Sequence, residues 1–444
     1  MKIVIAGAGE VGTHLAKLLS KENQDITLID TNGERLAVID ASYNLLTCQG
    51  SPISFDTLRA ARVNGCNLFI AVTPEETVNV LACSIAKSIG ARKTVARIDN
   101  YEFLRPCNAD FFRMRGVDVM IYPELLAARE ILKSLKCNWV RNWFEIHEGQ
   151  LIVIGVKIRE GAPLADTQLK DLASRSRDFH ISAIKRHQET IIPRGVDFIR
   201  AGDIIYVTTT AEGVDDLRRL CGKKEMDIRK VLIMGGSRIA VRLINMAPEQ
   251  FRFRIIEINR RRCDRLTELC PNAGITNADA RDIDILREEG IDDTDAFIAL
   301  TDSSETNILT SLTAKESGVG KTIAEVEDIQ YISEAENLNI GTTINKKLLA
   351  SARIFQMLLD DDTDSSKFMA LADADVAEIE AKPRSKVTKA PVKDLSLSKD
   401  MTIAGLIRDG HGMLVGGNTQ IMAGDRVVVF CLSGVIHKIE RLFN

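Results

Sequence analysis

The stretch Lys2-Ile3-Val4-Ile5-Ala6-Gly7-Ala8-Gly9-Glu10-Val11-Gly12 decides the fold. Its apolar run reads as a buried strand. The run breaks at G-x-G-x-x-G, and a helical period continues through Leu19. In that setting each glycine has its own task. Gly7 permits a tight turn, Gly9 lets a pyrophosphate approach the backbone, and Gly12 lets the helix pack close to the strand. Free amides and the helix dipole at this turn attract phosphate. Asp30 ends the next apolar run, about 20 residues on, where a carboxylate accepts hydrogen bonds from ribose hydroxyls and disfavours a 2′-phosphate.

Further apolar runs at 44–48, 68–72 and 93–96 alternate with helical periods. That alternation predicts a parallel sheet covered on both faces. Thr73 ends the fourth run, at the carboxyl edge where ligands of such sheets lie. Arg97 ends the fifth and can meet phosphate or base. Ser51 follows the third, on the adenine side. Thr73-Pro74-Glu75-Glu76 reads as a helix start, with Thr73 capping, Pro74 in the first turn and Glu76 at the capping-box position. Gly90 marks the stop of that helix.

The pattern then recurs. Lys230-Val231-Leu232-Ile233-Met234-Gly235 repeats residues 2–7 at an offset of 228, and Phe297-Ile298-Ala299-Leu300-Thr301 repeats Phe69-Ile70-Ala71-Val72-Thr73. Asn79 falls on Asn307. A weaker repeat follows each large lobe: Ala201-Gly202-Asp203 before one apolar run matches Ala423-Gly424-Asp425 before another. The fold class expected is therefore α/β. It comprises two Rossmann-like doubly wound parallel-sheet lobes, each followed by a small α+β lobe. The expected boundaries are 1–136, 137–222, 223–366 and 367–444. Strands are expected at 151–158 and 203–210 of the first small lobe.

Each large lobe closes on an apolar helix, at 123–136 and 346–359. These stripes are wider than one buried face requires, so they suit either their own sheet or another lobe. The acidic run at 360–366 reads as a solvated linker. Asp360, Asp362 and Asp364 have the spacing of a calcium loop, but Ser365 replaces the turn glycine and Leu371 the closing glutamate, so no metal site is assigned.

The second phosphate loop has drifted to Gly235-Gly236-Ser237-Arg238-Ile239-Ala240. Glu257 keeps the acid after the second strand, whereas Glu325 stands where the first copy has Arg97. An acid there disfavours an anionic phosphate. Arg238 or Arg260-Arg261-Arg262 can compensate, or can prefer another anion such as a 2′-phosphate.

Composition removes several other classes. The 444 residues are 45% apolar and 27% charged, ordinary for globular protein. A net charge of -4 argues against a broadly basic nucleic-acid binder, and 5% aromatics against stacking on single strands. No apolar stretch reaches the ~18 residues of a membrane helix, and the run at 3–7 is too short for a signal-peptide core. The nine cysteines include no C-x-x-C, which fits a reducing cytosol rather than disulfides or zinc. No catalytic residue is assigned, because none of the six histidines falls in an acid–base constellation beside the loop.

The glycine loop, Asp30, the Phe-Ile-Ala-Val-Thr run and Arg97 resemble the N-terminal lobe of an RCK (KTN) domain, and the small lobes resemble its C-terminal companion. Two such units in tandem are similar to the cytosolic regulatory subunits of bacterial Trk-type potassium uptake systems. The resemblance implies nucleotide contacts at Gly7, Ala8, Gly9, Glu10, Val11, Gly12, Asp30, Thr73, Pro74 and Arg97. In the second lobe it implies Gly235, Gly236, Ser237, Arg238, Ile239, Glu257, Thr301 and Asp302. The ligands it implies are NAD(H) in the first lobe and ATP or ADP besides. The partners it implies are a membrane potassium-translocating subunit and further copies of the chain, a dimer or tetramer whose lobes form a ring. The expected location is cytoplasmic, peripheral on the inner face of the membrane. Two other readings stand beside this one: a regulator of another cation channel or antiporter, and an NAD-dependent oxidoreductase.

Overall fold

The computed structural model describes residues 1–443 apart from 21–23, 176–177, 188, 363–365, 372–373, 396 and 433–441. Its first large lobe carries β1 (Lys2–Ala6), α1 (Glu10–Ser20), β2 (Asp25–Asp30), α2 (Gly33–Ser42), β3 (Leu46–Gln49), α3 (Phe55–Ala60), β4 (Leu68–Ala71), α4 (Glu76–Ile89), β5 (Lys93–Arg97), α5 (Pro106–Met114), β6 (Val119–Ile121) and α6 (Pro123–Lys136). The strands pair in parallel in the order β3-β2-β1-β4-β5-β6. That order is the doubly wound one, with its switch point between β1 and β4. Strands β1 and β4 are buried on both faces, which is why they read as unbroken apolar runs. The sixth strand, β6, was not foreseen.

The first small lobe has β7 (Asn142–Ile146), β8 (Leu151–Lys157), α7 (Leu169–Arg175), β9 (Phe179–Arg186), β10 (Glu189–Ile191), β11 (Ile204–Thr209) and α8 (Val214–Leu220). The second large lobe has β12 (Lys230–Met234), α9 (Arg238–Met246), β13 (Arg252–Glu257), α10 (Arg260–Leu269), β14 (Gly274–Asn277), α11 (Ile283–Glu288), β15 (Ala296–Ala299), α12 (Ser304–Glu316), β16 (Lys321–Glu325), α13 (Gln330–Asn337), β17 (Thr342–Ile344) and α14 (Lys346–Asp362). Its sheet order, β14-β13-β12-β15-β16-β17, repeats that of the first. The second small lobe adds β18 (Ser366–Leu371), β19 (Ala374–Glu380), β20 (Met401–Arg408), β21 (His411–Leu414) and β22 (Arg426–Leu432).

The small-lobe sheets are antiparallel and share one plan: β10-β9-β11-β8-β7 matches β21-β20-β22-β19-β18 strand for strand. In each, the Ala-Gly-Asp turn does more than reverse the chain. Asp203 and Asp425, both 2% exposed, accept two-pronged bonds from Arg186 (2.8 and 2.7 Å) and Arg408 (2.9 and 2.6 Å). Such planar forks are the strong form of ion pair.

The contacts group the two large lobes into one unit, residues 1–132 with 229–358, and the small lobes into another, 133–228 with 359–444. Within the large-lobe unit, Ala350 and Ile354 of α14 join the core of the first lobe beside Val11, Leu15 and Leu19. The stripe of α14 therefore binds the other lobe. The acidic run departs from the linker expectation, since α14 continues through Asp362. Residues 363–365 of that run, and His437 of the six histidines, lie outside the described residues.

Candidate functional site

The first phosphate loop lies at the carboxyl end of β1, against the start of the connection after β4. Gly7 has φ +108°, and its amide donates to the Ile29 carbonyl at 2.8 Å. A Cβ on Gly7 would sit 3.0 Å from Val72 C and Thr73 N, and one on Gly12 only 1.8 Å from the Gly7 carbonyl oxygen. Around Gly9 no atom lies within 4 Å of a Cβ position, so its face is open to an incoming group. The tight turn at Gly7 and the close packing at Gly12 are thus met by geometry, and the open backbone at Gly9 has room for a group such as a pyrophosphate.

Asp30 is tied to the same loop. Its Oδ2 accepts the Ala8 amide at 2.7 Å and its Oδ1 the Asn32 amide at 2.8 Å, with Arg35 at 3.8 Å. Each carboxylate oxygen has a second lone pair left for a ribose hydroxyl. Val11 is buried, so its side chain belongs to the core rather than to a ligand. Glu10 turns away from the cradle, with its Oε2 2.7 Å from Lys347 Nζ of the second lobe. Ser51 lies in the turn before α3, where its hydroxyl accepts weakly from Ile53 N at 3.5 Å.

Thr73 is not the cap expected. Helix α4 starts at Glu76, and Pro74 stays in the bend before it. Thr73 instead bonds to Asn79, a residue that sequence reasoning noted only as a repeat coincidence. Asn79 is fully buried. Its Oδ1 accepts Thr73 N (2.9 Å) and Thr73 Oγ1 (2.7 Å), and its Nδ2 donates to the carbonyls of Thr73 and Arg97, both at 2.9 Å. One amide side chain thereby ties the ends of two strands to α4. Glu76 does not close a capping box either, because its Oε2 accepts the amides of Asp99 and Asn100 at 2.8 Å. Arg97 lies beside Thr73, 3.4 Å from its carbonyl, and Asp99 holds its other nitrogen at 3.0 Å.

The second lobe repeats the frame with altered chemistry. Gly235 has φ +97°, and Gly236 N donates to Glu257 Oε2 at 2.8 Å, as Ala8 does to Asp30. Asn307 holds Thr301 and the Glu325 carbonyl as Asn79 holds Thr73 and Arg97. Ser237, standing where the first lobe has Gly9, caps α9 by accepting Ala240 N at 3.4 Å. Ile239 is core. Arg238 does not serve this pocket. It reaches the first lobe, donating to the Asp99 carbonyl at 3.0 Å, with Glu124 at 3.5 Å.

A cavity of about 420 Å³ opens at this carboxyl edge, lined among others by Gly235, Glu257, Arg262, Asp279, Thr301 and Asp302. Its size falls in the usual range for small-molecule sites. Of the arginines at 260–262, only Arg262 lines it, 3.6 Å from Glu257. Glu325 does not line it. Its carboxylate lies 3.1 Å from Lys346, and burial raises its pKa. The repulsion expected from an acid in place of Arg97 is therefore opposed by a local cation.

Fold and site together define a class: tandem Rossmann lobes with glycine loops at their switch points, each followed in the chain by an antiparallel module. Residues 3–123 and 231–346 match the TrkA-N domain, and 153–222 and 376–444 match the TrkA-C domain. The chain belongs to the TrkA family. The Trk system potassium uptake protein TrkA of Azorhizobium caulinodans is 29% identical, over 100% of this chain and 99% of that one. A TrkA homolog of Archaeoglobus fulgidus is 30% identical, with both chains covered in full. Among solved structures, the GsuK RCK domain aligns with a TM-score of 0.61 at 15% identity, over 100% of this chain and 94% of that one. The GsuK channel bound to NAD aligns at 0.60 and 15%, over 100% and 78%. Among the described residues no helix is long and apolar enough to cross a membrane, and no His, Cys, Asp and Glu cluster could hold a metal.

Proposed function

We propose that this chain is the cytosolic, nucleotide-sensing regulatory subunit of a membrane potassium uptake transporter, acting at the inner face of the membrane as a ring of lobes from two or four copies. The observation that carries the sensing role is the open backbone at Gly9, which directly follows the Gly7 turn and an Ala8 amide fixed by Asp30. The Trk system names of its full-length relatives support the potassium assignment. Functional units at 1–136, 137–222, 223–366 and 367–444 fit this reading.

The first lobe is the NAD(H) site, and ATP or ADP fits the same cradle. The amides of residues 9–11 face the phosphates, Ala8 ties the loop to Asp30, Asp30 accepts ribose hydroxyls, and Thr73, Pro74 and Arg97 close the far side. The second lobe offers Gly235, Gly236, Glu257, Thr301 and Asp302 around its cavity, with Ser237 less accommodating than Gly9. A bound nucleotide supplies no reaction in this scheme; it biases the arrangement of the lobes. It does so only through different affinity for two arrangements. Glu10 and Arg238, one in each phosphate loop, contact the opposite large lobe, so a shift of either loop is felt across the pair.

The test is potassium uptake by cells lacking their own regulatory subunit. The wild-type chain should restore uptake, and Asp30→Ala should restore it without response to the cellular NADH level. Restoration of proton or sodium exchange instead would favour the regulator of another cation carrier.

A further inference from the structure

The two large lobes meet through residues at corresponding places in the repeat, but with opposite charge. Glu10 and Arg238 occupy the same position of their phosphate loops. Glu124 and Lys347 are each the second residue of the closing helix, α6 or α14. Glu10 pairs with Lys347 at 2.7 Å, and Arg238 with Glu124 at 3.5 Å. The same acid-to-base contact is thus made twice, once in each direction, across the pseudo-twofold relation of the lobes. Lys347 also holds Glu327 at 3.1 Å, while Arg238 also takes the Asp99 carbonyl at 3.0 Å. Arg242 lies 4.2 Å above the Tyr101 ring in the same seam.

We infer that this exchange of charge makes lobe pairing selective: a first large lobe accepts a second large lobe, from its own chain or from a neighbouring copy, and rejects another first lobe. The apolar centre of the seam discriminates weakly, because the two closing helices present alike residues there, although Phe355 and Met357 of α14 stand where α6 has Leu132 and Ser134. Ala127 and Ile131 on α6 correspond to Ala350 and Ile354 on α14, and all four are buried. Superposing one first lobe on the place of the second sets Glu10 against Glu124 on both sides, beside Asp99. The two residues set against each other are then both acids, with the Arg97 cation already held by Asp99, and like charges at close range repel. Two second lobes would set Arg238 against Lys347, with Glu327 near enough to relieve part of the repulsion, so the discrimination is strongest against first-lobe pairs. Repulsion of a wrong partner is a common route to specificity when the attractive surface is shared.

Short-range thiol cross-linking of the full chain tests the rule, in a Cys107→Ser background that removes the exposed cysteine. Glu10→Cys with Lys347→Cys should be joined by a short bismaleimide. Glu10→Cys with Glu124→Cys should not, and efficient joining of that pair into cross-linked dimers would overturn the inference. A charge exchange gives a second reading that does not depend on reagent access. Glu10→Lys and Lys347→Glu should each lower the unfolding midpoint at low salt by roughly 1–3 °C. The double exchange should recover half or more of the summed loss. A double variant showing the full sum of both losses would mean the two charges do not recognise each other.

Discussion

Replacing Asn79 by alanine is expected to be among the most damaging single changes in the first lobe. Its side chain makes four hydrogen bonds from a fully buried position, three of them to backbone groups at Thr73 and Arg97. Each buried polar group left without a partner costs about 1–3 kcal/mol. The Thr73 hydroxyl has a fallback, because it already lies 3.2 Å from the Glu75 carbonyl. Counting only the three backbone groups, with some relief from water at the partly exposed strand ends, the loss is roughly 3–5 kcal/mol. Asn79→Asp sharpens the test. It keeps the oxygen that accepts from Thr73 but sets a second oxygen against the carbonyls of Thr73 and Arg97, so it should be at least as destabilising. Guanidinium unfolding, with hydrogen exchange to localise the loss, measures both. Asn307→Ala is an internal control in the second lobe. A loss below about 1 kcal/mol for Asn79→Ala, or a wild-type-like Asn79→Asp, would refute the reasoning that this amide holds the two strand ends.

Two further outcomes follow from close contacts and burial. Gly12→Ala places a methyl 1.8 Å from the Gly7 carbonyl oxygen. It should cost roughly 3 kcal/mol and weaken nucleotide binding together, as read by thermal unfolding and titration calorimetry. His180, whose Nε2 meets Thr402 Oγ1 of the second small lobe at 3.3 Å, has its pKa lowered by burial to about 4. A depressed histidine stabilises the fold above its unfolded value near 6.5 and loses that contribution as pH falls toward 4. The loss is at most about 3 kcal/mol. His180→Asn should flatten the pH dependence of stability between 4 and 6.5, and an unchanged slope would assign the acid sensitivity elsewhere.

The large-lobe fold was legible because parallel strands buried on both faces appear as runs such as Ile3-Val4-Ile5-Ala6 and Phe69-Ile70-Ala71. Strand β6 is not legible in the sequence, since three residues carry no periodic signal. Gly7 and Gly12 of the first loop are readable because each answers a steric demand of the fold, whereas Gly9 leaves open backbone. Thr73 misled because Thr-Pro-Glu-Glu has the chemistry of a helix start, whereas the tertiary demand of Asn79 claims its backbone and hydroxyl. Asn79 itself was hidden: a polar residue inside a helix reads as surface until its partners are known. The repeat held the one available signal, since Asn79 and Asn307 coincide where most neighbours differ. Arg238 was read as a phosphate ligand of its own lobe. Its true partners, at Asp99 and Glu124, lie more than a hundred residues earlier, and local sequence cannot announce a contact across lobes.

Gly9→Ala separates binding from folding more cleanly than any other change, because an added Cβ meets no atom within 4 Å in the free protein. Titration calorimetry of NADH into the wild-type chain and this variant, with unfolding midpoints measured alongside, therefore tests the sensing claim most directly. The account predicts that the unfolding free energy stays within about 0.5 kcal/mol of wild type, as for a neutral surface change. It also predicts that the first-lobe binding isotherm is lost or weakened at least tenfold. Undiminished NADH binding by Gly9→Ala, or no binding of NADH, NAD, ATP or ADP by the wild-type chain, would contradict it.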